Sequence, residues 1–230
     1  MTVGKKKGAI CLALRWFLLI FAGPFPPRAA AGAATLSQHR VTGGGGEQQN
    51  GRTMKEHPLE RFGYCPVCGS SRFSVNNVKS KRCGSCGFVY YANPSSATAA
   101  FIVRDEHLLV VRRGKEPARG TLDLPGGFVD MDETAEEGMA RELMEETGLT
   151  ATRIAYLFSI PNLYEYSGMV IHTLDMFFRV SVADDAVPHA ADDAAELAWM
   201  PIGQLRPEDF GLLSISQAVR RFICEWRGNS

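Results

Sequence analysis

From Leu122 to Leu149 the chain passes from a short apolar segment, through the turn Leu124-Pro125-Gly126-Gly127, into a stretch of helical spacing with two readable ends. Thr134, with Glu137 three residues on, forms a capping box in which hydroxyl and carboxylate each accept a backbone N–H that the helix leaves open. Gly148 supplies the left-handed residue that closes a helix after its last turn. The spacing therefore predicts a helix over residues 135–147. At about 100° per residue, Met139, Ala140, Leu143, Met144 and Thr147 share one broad face. Glu142, Glu145 and Glu146 crowd the other side, with Gly138 between them one turn earlier. Like charges at such spacing destabilise a helix by about 0.2–0.5 kcal/mol per pair, and an interior glycine costs about 1 kcal/mol relative to alanine. Both costs ask for an explanation.

Taken alone, Arg141-Glu-Leu-Met-Glu-Glu-Thr-Gly148 reads as a solvated acidic stripe, which is what most acidic helix faces are. Its surroundings reverse that reading. The glycine turn can aim backbone carbonyls and amides into the space the glutamates face, Glu133 lies just before the cap, and Gly138 permits close approach. Clustered carboxylates beside an open backbone turn make a site for a hard divalent cation.

Around this unit the pattern predicts strands at residues 96–103, 108–113, 151–159, 170–182 and 196–202, with a short one leading to Phe128. A closing helix fits residues 212–227, where Leu212, Ile215, Ala218, Val219, Phe222 and Ile223 recur at helical spacing. One helix inside a run of strands and another at the end predict an α+β domain, with helices flanking a mixed sheet.

Four of the six cysteines form two C-x-x-C pairs, Cys65/Cys68 and Cys83/Cys86, with fourteen residues from Gly69 to Arg82 between them. Each pair can clasp one ion from a tight loop, and Gly69 and Gly87 allow the positive φ such knuckles need. Four thiolates suit tetrahedral zinc, the metal replacing the core that so short a segment cannot build. The module resembles a zinc ribbon, expected over residues 54–92 with the α+β domain over 93–230. The polar and basic segment between the pairs could touch nucleic acid, but docking or structural use is the commoner role. A chain with 25 Lys+Arg against 25 Asp+Glu gives no global reason for a nucleic-acid or membrane partner.

Residues 1–53 are harder to place. A basic start, an apolar run over residues 9–23 broken by Arg15, and small residues near 29–33 look like a cleavable secretory signal. The run is short for a membrane span, which needs about 20 residues. Globular composition begins abruptly at Met54, so a dispensable or over-extended start is the preferred expectation. A thiol-rich metal module fits export poorly, so a cytoplasmic location is expected.

The spacing within the acidic unit is specific. Gly127, five residues, Glu133, seven residues, then Arg141-Glu-Leu-x-Glu-Glu-x-Gly-Leu149 matches every fixed position of the signature of the Nudix hydrolase superfamily. The resemblance spans residues 95–230 and implies an αβα sandwich. It implies hydrolysis of a nucleoside diphosphate linked to another moiety, by water attack on phosphorus. By carry-over, Glu142, Glu145 and Glu146 are expected to hold Mg²⁺ or Mn²⁺ with the carbonyl of Gly126. Glu142 or Glu146 is the expected general base, and Arg141, paired with Glu133, should orient the glutamates. Asp192, Asp193 or Glu196 could supply another base. Arg112, Arg113, Lys115 and Arg119 lead into the glycine turn, and one or two are expected to meet substrate phosphate, because arginine suits bidentate phosphate contacts.

A zinc ribbon ahead of a Nudix domain resembles NADH pyrophosphatases. These carry S-Q-P-W-P-F-P-x-S-L-M after the signature. Here residues 159–169 read Ser-Ile-Pro-Asn-Leu-Tyr-Glu-Tyr-Ser-Gly-Met, so Ser159, Pro161, Ser167 and Met169 match in register and Tyr164 replaces phenylalanine. The glutamine, the tryptophan and two prolines are missing, which leaves NADH, ADP-ribose and related nucleoside diphosphate sugars open. Tyr164 or Tyr166 could stack on a base. A small nucleotide is thus the expected partner, with no membrane partner; nucleic acid is not the expected one, and a homodimer is allowed. The alternative is a nucleotide-binding regulator of the same fold that docks through its ribbon. Such proteins typically lose the signature carboxylates, and this chain keeps them all.

Overall fold

The computed structural model describes residues 57–190 and 194–228, so the extension expected over residues 1–53 lies outside the described residues, as do Asp192 and Asp193. The first described module is a three-stranded antiparallel sheet of β1 (Phe73–Asn77), β2 (Ser80–Cys83) and β3 (Val89–Tyr91). Its core is small: Cys65, Phe73 and Cys83 are buried with Phe88 against them. Lys81 lies inside this module, where its Nζ donates to the carbonyls of Glu60 (3.4 Å) and Phe62 (3.0 Å).

The main domain is built on a six-stranded sheet. β4 (Ser95–Arg104) pairs in parallel with β8 (Met169–Val182), which pairs antiparallel with β7 (Ala151–Tyr166) at the edge. β5 (His107–Arg113) meets β4 only at Val103↔Leu108 and Arg104↔His107. It then swings away to pair with β6 (Leu122–Asp123) and, along its length, with β9 (Ala194–Pro201). That parting leaves one edge of β4 bare, and the glycine turn fills it. Thr98 donates its N–H to the carbonyl of Gly127 (2.8 Å), Ala100 to that of Pro125 (2.8 Å), and Val129 to that of Ser96 (3.0 Å).

Period-two alternation sends side chains to two layers. Ala99 and Phe101 of β4, Leu108 and Val110 of β5 and Phe177 of β8 pack beneath α2 (Leu213–Gly228), on Ile215, Ala218, Val219, Phe222 and Ile223. Ala100, Ile102, Leu109, Phe178 and Val180 face the other way, onto Met139 and Leu143 of α1 (Ala135–Thr147). The result is the expected αβα sandwich with a mixed sheet. The bounds and caps of α1 are those the sequence predicts, with Thr134 Oγ1 accepting from Glu137 N and Gly148 at φ 67°.

Three details differ. β7 runs on to Tyr166 instead of stopping at residue 159, because β8 pairs with it right to the turn at Tyr166↔Met169. Met144 is exposed, since the sheet covers only Gly138, Met139, Leu143 and Thr147. β9 begins at Ala194, and Ile202–Gln204 coils into a 3-10 turn. No described helix is long and apolar enough to cross a membrane.

Candidate active site

Because the glycine turn is hydrogen-bonded to β4, its backbone is held against the acidic face of α1. Gly126, at φ 149°, presses on Thr98 and Ala99, so that any Cβ there would strike backbone. Gly127 is bare for another reason: the Glu142 carboxylate fills the place a side chain would take. Glu146 Oε2 accepts the N–H of Gly126 at 2.9 Å. Gly138 faces Glu133, whose Oε1 would lie 2.9 Å from a Cβ there.

Arg141 is the hub of the glutamates. Its Nη1 donates to Glu142 Oε1 (2.9 Å) and to Glu145 Oε2 (3.0 Å), while Nη2 reaches Glu133 Oε1 (2.6 Å) and the Phe128 carbonyl (2.9 Å). One guanidinium thus sits among four carboxylates, those of Glu133, Glu142, Glu145 and, at 3.8 Å, Asp130, which offsets the repulsion between Glu142 and Glu145. Its bonds to Glu133, with the Asp130 N–H beside them, hold the Glu133 carboxyl below the ordinary glutamate range. Burial pushes the Glu142 carboxyl up, against the lowering pull of Arg141.

The glutamates and the glycine turn form one wall of a cleft of about 540 Å³. Tyr164 and Tyr166 stand in the same cleft, Tyr164 meeting Phe128 edge-on at 5.6 Å. Arg113 also lines it, but its guanidinium is bound to the buried Asp123 and to the carbonyl of Pro117 (2.8 Å). Burial pushes the Asp123 carboxyl up, against the guanidinium on it. Arg112 and Arg119 are exposed and outside the lining. Arg112 donates to Glu196 (3.0 Å) and to the Gly120 carbonyl (2.9 Å), so Glu196 is spent on a pair between β5 and β9.

The residues that sequence reasoning missed lie at the bottom of the cleft. Asn162, Thr173 and Asp175 line it and are buried. Asp175 accepts from Asn162 Nδ2 (3.0 Å), Thr173 Oγ1 (2.6 Å) and Ser214 Oγ (2.5 Å). Two signals were available. Asp175 interrupts an apolar strand, and Asn162 stands where the NADH pyrophosphatase motif has its tryptophan.

In the small module, the four ligand sulfurs of Cys65, Cys68, Cys83 and Cys86 lie within 4.8 Å of one another, with Sγ–Sγ distances of 3.7 Å (Cys65–Cys86) and 3.6 Å (Cys68–Cys83). Four thiolates at about 2.3 Å from a tetrahedral zinc stand about 3.8 Å apart, so the cluster fits the ion. The Cys86 amide, followed by that of Ser85, holds the Cys83 thiol down at about 6 against burial. Cys68, lowered by the Ser70 amide but raised more by its sulfur neighbours, is pushed up to about 12. Among the described residues these cysteines alone converge so tightly; the glutamates fit a cation by their oxygen donors and by the open turn beside them.

Comparison with known proteins agrees with this architecture. The family model of the NUDIX domain matches residues 94–222. An NAD-capped RNA hydrolase NudC from Vibrio vulnificus is 29% identical over 119 residues, covering 52% of this chain and 45% of that protein. An ADP-ribose pyrophosphatase from Methanocaldococcus jannaschii is 32% identical over 117 residues, covering 50% and 66%. The chain therefore spans between about half and two thirds of the length of these relatives. A crystal structure of a NUDIX hydrolase from Nitrosomonas europaea superposes with a TM-score of 0.56 at 22% identity, over 70% of this chain and 90% of that one, a likeness of fold.

Proposed function

The chain belongs to the NUDIX domain family, and on that premise we propose that it is a metal-dependent pyrophosphohydrolase. Its substrate is a nucleoside diphosphate linked to a second moiety, with NAD and ADP-ribose the first candidates. Relatives named for NAD-capped RNA and for ADP-ribose support this class. The carrying observation is the contact of Glu142 and Glu146 with the glycine turn in a nucleotide-sized cleft.

In this reading Glu142, Glu145, Glu146 and the carbonyl of Gly126 hold Mg²⁺ or Mn²⁺. The metal supplies charge neutralisation at the diphosphate and a lower pKa for bound water. Glu142 or Glu146 takes the proton of the attacking water. Arg141 keeps the carboxylates apart and in place, and Glu133 keeps Arg141 there. Tyr164 and Tyr166 stack on the substrate. Arg113 serves by fixing Tyr164, whose hydroxyl lies 3.5 Å from its Nη2, while Lys115 at the cleft mouth is better placed than Arg112 or Arg119 for phosphate. Residues 54–92 form a structural zinc ribbon and 93–230 the hydrolase domain. A thiolate-held zinc suits a reducing compartment such as the cytoplasm.

The test is a panel of nucleoside diphosphate derivatives with Mg²⁺ or Mn²⁺, comparing wild type with Glu145→Gln and Glu146→Gln. Hydrolysis that collapses in both variants is expected. No hydrolysis of any compound, or unchanged rates in both variants, rejects the enzyme.

A further inference from the structure

The floor of the cleft holds more polar chemistry than diphosphate hydrolysis uses. Asn162 is 8% exposed, Thr173 3% and Asp175 7%, all on the end of the β7–β8 pair that faces the cleft. On β8, Thr173 and Asp175 continue the row that ends in Phe177, which packs with the core beneath α2. Apolar residues there would extend that core and pack as well.

Asp175 draws donors from β7, β8 and α2, and that network would be self-contained but for Asn162. The Asn162 amide gives one N–H to Asp175, and its oxygen takes no hydrogen bond among the described residues. Yet among the described residues no fully buried side-chain oxygen or nitrogen is left without a partner. The oxygen therefore opens outward, and the outside of Asn162 is the cleft. A carboxamide can be turned either way about its last bond, but the carboxylate of Asp175 accepts only the NH₂ side. Asp175 thus locks the amide, presenting a carbonyl oxygen beside an N–H in one fixed order.

We infer that Asn162, locked by Asp175, reads the hydrogen-bonding edge of the substrate's adenine. A carboxamide is the bidentate complement of adenine, accepting from N6–H and donating to the neighbouring ring nitrogen. A 6-oxo purine sets an oxygen against the Asn162 oxygen, and the locked amide cannot turn to relieve it. The Phe128–Tyr164 pair and Tyr166 line the same cleft and give the ring a face to stack on. Tyr164 is itself steadied by Arg113, which Asp123 holds. The inference rests on the proposed hydrolysis of an adenine-containing diphosphate, and it names the half of that substrate the protein recognises.

The test uses the full chain with ADP-ribose and its hypoxanthine analogue, and with NAD and nicotinic acid adenine dinucleotide. Wild type should favour adenine over hypoxanthine by about 5- to 150-fold in kcat/KM, carried mainly by KM, the range a bidentate base contact supports. It should treat the nicotinamide amide and acid alike. Asn162→Leu, and independently Asp175→Asn, which frees the amide to turn, should bring the adenine preference close to one, with folding checked by thermal melting. Calorimetric binding of AMP and IMP reads the same preference without hydrolysis. A protein that hydrolyses nothing yet prefers AMP overturns the hydrolytic function and keeps the base reading. Equal treatment of the two purines, a preference that survives in both variants, or discrimination at the nicotinamide instead overturns the base reading alone.

Discussion

Gly127→Ala isolates the fit between the glycine turn and the glutamate wall. An alanine Cβ at this position would lie 2.5 Å from the Glu142 carboxyl carbon and 2.6 Å from each of its oxygens, where ordinary contact begins at 3.4 Å. The carboxylate must therefore withdraw by about 0.9 Å (3.4 − 2.5), and as the far end of a flexible side chain it can. Gly127 is not among the positive-φ glycines, so alanine is unstrained there. Alanine gains about 0.4–1 kcal/mol by restricting the unfolded chain. The part-buried contact of Glu142 with Arg141 is stretched rather than lost, which costs about 1 kcal/mol in return. The melting temperature should accordingly stay within about 4 °C of wild type. Activity should not: a misplacement of about 1 Å in a catalytic constellation costs about 100-fold in kcat. Gly126→Ala is the control. Its Cβ would meet the Thr98 carbonyl and lie 2.8 Å from the Ala99 Cα at φ 149°, a clash with backbone that should cost about 3 kcal/mol or more. Steady-state hydrolysis of ADP-ribose and thermal melting read the two variants side by side. If Gly127→Ala keeps kcat within about threefold of wild type, or melts as early as Gly126→Ala, the described fit is wrong.

Four further outcomes are expected. Burial raises the Glu142 carboxyl and Arg141 opposes that rise, so Arg141→Gln should move the acidic limb of the pH–kcat profile to higher pH; an unmoved limb would separate Glu142 from the chemistry. Glu133 is held below its ordinary 4.5, so the stability it adds is present above pH 4.5 and lost as pH falls through the lower folded value. Arg141→Gln should flatten that part of the acid denaturation curve, and an unchanged curve would contradict the ion pair. Metal analysis should find about one zinc per chain, and a chelator should raise amide exchange over residues 65–91 while sparing β4 and β8; protection that persists without zinc would refute the structural role. Phe222 stacks on Phe101 with centroids 4.5 Å apart and planes 11° from parallel, so Phe222→Ala should cost about 3–5 kcal/mol in urea unfolding, and a cost under about 1 kcal/mol would mean α2 is not seated as described.

What could be read in advance were the features set by neighbours a few residues apart. The capping box at Thr134 and Glu137, the stop at Gly148 and the apolar spacing of α2 depend on local backbone geometry, and they appear where the spacing puts them. The C-x-x-C pairs are local too, and their four sulfurs do meet. The spacing ends β7 at residue 159, whereas β8 holds the segment extended to Tyr166 through cross-strand bonds that no local spacing encodes.

The sequence by itself determined an α+β domain, a capped acidic helix behind a glycine turn, and a four-cysteine knuckle, because each is encoded within one stretch of chain. Tertiary structure decided which charges reach the cleft. Arg112 and Arg113 are adjacent, but alternation along β5 leaves Arg112 on Glu196 outside and turns Arg113 onto Asp123 in the cleft. It also joined Asn162, Asp175 and Ser214 from β7, β8 and α2 into one hydrogen-bonded network. No local spacing announces such a set, because its members meet only when long-range pairing sets the register of two strands and the apolar face of α2 fixes the helix above them.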